Sequence, residues 1–312
     1  MARADTYLQP DAPDPVLSTA SVLEIAGRHT DRAVEVLAVD ESGGEARVYL
    51  FTGDIVVKTQ RPHRLRPRTS LAKEALILRS SAGALGDRVP ELFGYGRTEA
   101  AEGAVEYLVM SRMPGEALVR RPVEGVARAM LVRDVGKLLA ELHDVSTESL
   151  VGELELVPVD PDGHALRERL EAGFADLVDL LAERPQRWSF SVAPQDVAEL
   201  ALAMIPGSFT PVLLHSNPGL THVFCAEDGA FTGVIDFGDS YLSHPAMDLR
   251  TWPDPADRMA LREGYLEHAN VGVGFEDAWA AAMIYTDMAV IASRPELEAA
   301  AQADLAVRLG AQ

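Results

Sequence analysis

Apolar and polar residues follow a period near two in the first third of the chain and near 3.6 through most of the remainder. Val34 to Val39 and Ala46 to Phe51 are β-rich runs separated by Asp40-Glu41-Ser42-Gly43-Gly44, a spacing that predicts a hairpin. Thr52-Gly53-Asp54 then turns the chain into the apolar strand Ile55-Val56-Val57, which ends on Lys58. A meander of three strands is expected. Thr69 to Ser80 predicts a helix, with Leu71, Ala75 and Leu78 on one stripe and Glu74 off it. Val105 to Met110 predicts another strand, ended by Pro114-Gly115.

Past that point the pattern becomes helical. Leu131, Val135, Leu138 and Leu142 share one face, and Leu166, Leu170, Phe174, Leu177 and Leu181 share another. Short apolar runs return as strands at Val212 to Leu214, Val223 to Cys225 and Gly233 to Ile235, with helices from there to Leu309. Pattern alone therefore divides the chain into an N-terminal extension over 1–19, a small β-rich lobe over 20–112 and a larger helical lobe over 113–312. No internal repeat or low-complexity block interrupts it.

Composition narrows the function. The 312 residues carry 28 Lys plus Arg against 48 Asp plus Glu, a formal charge of −20. Such a balance argues against a nucleic-acid binder working through phosphate contacts. It suits a cationic small molecule and equally suits a soluble protein kept apart by self-repulsion. The lone cysteine, Cys225, excludes an intramolecular disulfide and a Cys-rich zinc cluster. Met1 to Pro15 lacks the basic-then-apolar order of a signal peptide, and no apolar run is long enough to span a bilayer. A cytoplasmic protein with no membrane partner is expected.

Lys58 closes an otherwise apolar strand, so its ammonium must face a cleft or solvent. Glu74, on the expected helix, is within steric reach, and a Lys–Glu pair of this kind can hold an ammonium against nucleotide phosphates. A solvated lysine and a surface glutamate are the plain alternative. Downstream, Pro211 to Leu249 runs strand, His215 loop, hairpin at Asp228-Gly229, then Ile235-Asp236-Phe237-Gly238. An aspartate at a strand end beside glycine offers hard oxygen to Mg²⁺ with room for close approach.

This segment resembles the catalytic core of the aminoglycoside/macrolide phosphotransferase and choline-kinase-like family, whose pattern is H-G-D-x-x-x-x-N, a hydrophobic hairpin, I-D-F/W and D-P-x-x-D-L. His215, Ile235 to Gly238 and Pro245-Ala246-Met247-Asp248-Leu249 match without a gap. Upstream, Ile55 to Lys58, Glu74, Val89 to Leu92, Tyr107 to Gly115 and Leu138 to His143 resemble the family's lysine strand, its glutamate, the strands before its hinge and the first helix of its large lobe. The resemblance implies an α+β, bilobal, protein-kinase-like fold, with a small antiparallel sheet in one lobe and helices in the other. It implies that Lys58 and Glu74 position the phosphates of ATP or GTP, with Gly43 and Gly44 of the turn lying over them. The base is expected against Met110 to Arg112, Mg²⁺ on Asp236, and Asp248 bracing the catalytic loop, while His143 and His215 are expected to be structural.

The match breaks in the catalytic loop. The family's catalytic aspartate falls on Asn217, its metal-binding asparagine on His222, and its glycine on Ser216. An amide orients a hydroxyl without accepting its proton, and losing a general base costs roughly 10²- to 10⁴-fold. Imidazole suits Zn²⁺ or Mn²⁺ better than Mg²⁺, so His222 reads as an altered ligand, a substitute base or a space-filling residue. Two functions follow. One is an atypical phosphotransferase acting on the hydroxyl of a small cationic natural product or a peptide Ser/Thr, with Asn217 and Asp236 at the reacting centre. The other is an inactive relative that binds nucleotide, substrate or a partner enzyme. Lys58, Arg61, Arg64, Arg66 and Arg68 form a basic run near the expected phosphates, and Asp239, Asp254, Asp257, Glu263 and Glu267 read as an acidic substrate site or as solvent-facing charges.

Overall fold

The structure is a computed structural model that describes residues 7–31, 34–153, 155–160 and 162–310. Residues 1–6 of the expected extension and 311–312 of the expected larger lobe lie outside the described residues. The chain opens with α1 (Thr19–His29), β1 (Val36–Asp40), β2 (Ala46–Phe51), β3 (Ile55–Gln60), α2 (Leu71–Leu85), β4 (Leu92–Ala100) and β5 (Gly103–Ser111). The strands form one antiparallel sheet in the order β1-β2-β3-β5-β4. The expected meander is present, and β5 continues it on the far side of β3, pairing Val57 with Val109 and Lys58 with Leu108.

The small lobe holds two helices where one was expected. Ser18 caps α1 by accepting from the Ser21 N–H, and Val22, Ile25 and Ala26 form its buried stripe. That stripe joins Phe51, Ile55, Val57, Val105 and Val109 in a core of its own on one face of the sheet. On the other face lies α2, shifted from its expected start at Thr69 because Ser70 is the N-cap and accepts from the Lys73 N–H. Its buried Ala75, Ile77 and Leu78 are continuous with the core of the large lobe.

A two-residue strand, β6 (Glu116–Ala117), leads into the helical lobe. There follow α3 (Gly125–His143), α4 (Glu148–Val151), α5 (His164–Ala182), α6 (Pro194–Ala203), β7 (Val212–Leu214), β8 (Val223–Cys225), β9 (Phe231–Val234) and β10 (Tyr241–Ser243). The chain then finishes with α7 (Ala246–Leu249), α8 (Pro255–Leu266), α9 (Phe275–Ser293) and α10 (Glu298–Arg308). The three-stranded sheet β6-β8-β9 carries the loop that contains Asn217 and His222, and β9 ends one residue before Ile235. Gly136 on α3 and Gly264 on α8 let those helices touch backbone to backbone. A Cβ at Gly136 would stand 2.1 Å from the Leu261 carbonyl oxygen. This close crossing fixes the platform beneath the loop that holds Asn217 and His222.

Candidate active site

The two lobes enclose a cleft of about 760 Å³, inside the range of roughly 300–1,000 Å³ usual for small-molecule sites. Gly43, Gly44, Lys58, Glu74, Met110, Arg112, Asn217, His222 and Asp236 all line it. Nine positions spread from residue 43 to residue 236 thus face one space.

Lys58 stands at its centre. Its Nζ donates to Glu74 Oε2 at 2.7 Å and to Asp236 Oδ1 at 2.6 Å. Burial works against the charged ammonium, but Asp236 and Glu74 outweigh it and hold the lysine above its ordinary range. Asp236 is likewise disfavoured by burial, and Lys58 and then His222 overcome this and keep it well below the usual carboxylate range. Glu74 has only the lysine and is almost wholly buried, so burial pushes it up.

Asp236 adopts φ 73°, and Ser216, across the site, φ 80°. Both are non-glycine residues in left-handed geometry, a strain of order 1–3 kcal/mol each that persists only where surroundings impose it. For Ser216 the imposing group is Asp248, whose two oxygens accept the backbone N–H groups of His215 and Ser216, each at 2.7 Å. His143 Nε2 approaches the same carboxylate at 3.1 Å and its Nδ1 meets the Tyr265 hydroxyl at 3.0 Å. His215 donates through Nε2 to the Ile235 carbonyl at 3.0 Å and accepts the Asn217 N–H on Nδ1. Burial holds its pKa down to about 4, so the ring is neutral and ties the Asn217 loop to the Asp236 loop. Neither His143 nor His215 faces the cleft.

His222 Nδ1 lies 2.8 Å from the Asn217 carbonyl, and its Nε2 lies 3.3 Å from Asp236 Oδ2. Both neighbours are acceptors, so each ring nitrogen meets a group that calls for an N–H. This places an imidazole between two acceptors where the resembled pattern has an amide. Among the described residues no set of three or more His, Cys, Asp or Glu side chains could hold a metal ion. The donors that are present fit a single Mg²⁺ shared with phosphate oxygens and water through Asp236. An imidazole at 222 does not fit a second.

Several features were not legible beforehand. Arg66 bonds both Glu45, beside the glycine turn, and Asp239 (3.0 Å to the latter), and Thr69 also bonds Asp239, so the basic stretch clasps the cleft's mouth. Arg61 goes instead to Asp14, at 2.8 Å. The Ser111 and Arg112 N–H groups already donate to the carbonyls of Glu91 and Asp54, so neither is a free donor to a base. Of the five expected acidic residues, only Asp239 lines the cleft. Asp254 caps α8, Asp257 is paired with Arg128, and Glu263 and Glu267 with Arg133.

Fold and site define a two-lobed, protein-kinase-like molecule whose antiparallel sheet and helical lobe meet at a lysine–carboxylate cleft. The chain belongs to the phosphotransferase enzyme family, whose sequence model matches residues 36–285. Solved structures with the same fold include a macrolide 2'-phosphotransferase from Brachybacterium faecium, at 20% identity and TM-score 0.54, covering 92% of this chain and 97% of that one. An aminoglycoside phosphotransferase APH(2'')-Ib bound to ADP matches at 16% identity and TM-score 0.55, covering 95% and 98%. A streptomycin–ATP complex of APH(2'')-IIa matches at 15% identity and TM-score 0.52, also covering 95% and 98%. No curated protein matches the chain significantly.

Proposed function

We propose that the chain binds a nucleoside triphosphate, ATP or GTP, in the lysine cleft and transfers its γ-phosphate to a hydroxyl of a small molecule, slowly because residue 217 is asparagine. The observation that carries this reading is the simultaneous engagement of Lys58 by Glu74 and Asp236 at 2.7 and 2.6 Å. An ammonium held there is aimed at phosphate oxygens, and the backbone of the Gly43-Gly44 turn lies on the same space. Two of the solved relatives are described as ATP and ADP complexes, which supports a nucleotide in this fold.

In the proposed reaction the acceptor oxygen attacks γ-phosphorus, the bond to the β-phosphate oxygen breaks, and the nucleoside diphosphate leaves. Lys58 steadies the phosphates, while Asn217 orients the attacking hydroxyl without taking its proton, which passes to an oxygen of the transferred phosphoryl group or to water. A Mg²⁺ held on Asp236 would neutralise phosphate charge. The loose transition state of phosphoryl transfer depends mainly on positioning and charge neutralisation, so loss of the base slows it without abolishing it.

Thermal unfolding and calorimetry with ATP and GTP, with and without Mg²⁺, test the reading. A Mg²⁺-dependent rise in unfolding temperature is expected, since a ligand of the folded state stabilises it, together with acceptor-dependent release of diphosphate. Absence of any nucleotide response overturns it. Nucleotide binding without transfer to any acceptor would favour the binding-protein reading that Asn217 and His222 also support.

A further inference from the structure

Most of the described arginines in this acidic chain sit against carboxylates, as Arg47, Arg128 and Arg258 do. Among those that do not, three lie on aromatic rings. Arg68 and Arg169 lie against a single ring, that of the buried Tyr241, with guanidinium carbons 5.3 and 4.3 Å from its centroid. Arg250 lies 4.9 Å from the centroid of Tyr285. Among the described residues none of the three makes an ion pair. The Nε atoms of Arg169 and Arg250 are shut off from solvent with no hydrogen-bond partner.

These groups are contiguous. Arg169 and Gly173 are one turn apart on α5, and a Cβ at Gly173 would stand 2.7 Å from the Tyr285 ring. Tyr241 follows Asp239 by two residues, and Arg68 precedes Thr69, which bonds Asp239. The strip therefore begins at the lip of the cleft. It continues to a cavity of about 190 Å³ lined by Arg250, Thr251, Tyr285, Thr286, Ser293 and Arg294. A guanidinium stacked on an aromatic ring keeps its in-plane N–H groups directed outward, a geometry matched to carboxylate or phosphate. Gathering three unneutralised cations is unfavourable unless an anion completes them.

We propose that this strip is an anion-binding subsite that receives the carboxylate or phosphate group of a small hydroxyl-bearing acceptor. That the anion belongs to the acceptor rests on the phosphoryl-transfer reading; that an anion binds does not. The acceptor's anionic end is held at Arg68, Arg169 and Arg250 and its hydroxyl extends toward Asn217. A cationic acceptor finds repulsion here, while four of the five acids expected to receive one are capping a helix or paired with arginine.

Calorimetry of the full chain with inorganic phosphate and with succinate, each repeated with ATP present, decides the matter and shows which group is preferred. Binding of at least one anion, retained with ATP present, is expected. Arg169→Gln should weaken it at least tenfold and Arg68→Gln several-fold, while Arg97→Gln, which is paired with Glu106 on the small-lobe sheet, leaves it unchanged. Arg68 is exposed, so its variant carries the test if Arg169→Gln does not fold. Failure of both anions to bind, equal binding by the Arg68 and Arg169 variants, or displacement by ATP overturns the proposal. A chain that binds phosphate through these arginines but no nucleotide overturns the cleft reading and leaves the subsite standing.

Discussion

Lys58 Nζ and Asp236 Oδ1 stand 2.6 Å apart although 178 residues separate them in sequence. One belongs to the third strand of the small lobe and the other to a loop of the large lobe, so the contact spans the cleft. Glu74 completes it from α2 at 2.7 Å, and the three side chains form one charge group with a net charge of −1 when all are ionised.

Replacing Lys58 by Met should therefore remove two ion pairs at once. Glu74 and Asp236 would face each other with no cation between them, and Glu74, already pushed up by burial, would take a proton. Breaking a buried pair from one side costs about 3–5 kcal/mol, reduced here because the cleft admits water to Asp236. The expected result is a fall in unfolding temperature together with loss of the nucleotide-induced rise, read by differential scanning fluorimetry. An unchanged nucleotide response would show that the phosphates lie elsewhere.

Asn217→Asp should restore a proton acceptor on the loop that Asp248 holds in place. Transfer to an accepted hydroxyl compound is expected to rise by about 10²-fold or more, measured as the rate of diphosphate release, with little change in nucleotide affinity. Turnover equal to the parent chain would mean that residue 217 does not touch the acceptor.

Acid should destabilise the fold over a defined window. His215 and His244 are held down to about 4 by burial, against an ordinary value of 6.5. Below pH 6.5 the unfolded chain takes up protons that the folded chain refuses, so stability falls from pH 6.5 toward pH 4 and is insensitive to these groups above it. The full window is worth up to about 3 kcal/mol for each ring. Urea midpoints at pH 7.5, 6 and 5 should show the slope. His244→Asn keeps an acceptor for the Ala246 N–H, which now bonds Nδ1, and should make the slope shallower.

Gly136→Ala tests the helix crossing beneath the loop. Its Cβ would meet the Leu261 carbonyl at 2.1 Å and the Tyr265 N at 2.7 Å, both backbone atoms that no rotamer change can move. Separating α3 from α8 should cost about 1–3 kcal/mol or more. It should also disturb the His143–Tyr265 contact that supports Asp248. A stability within 0.5 kcal/mol of the parent would contradict the close approach.

The sequence made the site more legible than the surroundings. Lys58, Asp236 and the glycine turn could be placed because each chemistry-bearing residue interrupts an apolar strand or stands beside glycine, where few other roles are open to it. Asp248 needed the resemblance, since nothing local marks it as the group that accepts two loop amides. Helix α1 was missed because its buried stripe of Val22, Ile25 and Ala26 is only three residues long. Strands β6 and β10 are two and three residues long and exist only by pairing with distant partners. Arg169 and Tyr241 meet although the Asn217 loop lies between them in sequence, and no spacing rule connects them.

Asp14 reaches the small lobe and accepts from both Arg47 and Arg61, at 3.0 and 2.8 Å, while the Pro15 carbonyl accepts from Arg47 as well. Arg47 is also bonded to Glu41, inside the turn that carries Gly43 and Gly44. The opening segment is thus a guy-rope on the turn, with Arg47 as the peg. An affinity tag crowded against residue 14, or a chain shortened to begin at Thr19, would slacken that turn while leaving every cleft residue in its place, and would register as weakened nucleotide capture with no visible lesion in the pocket.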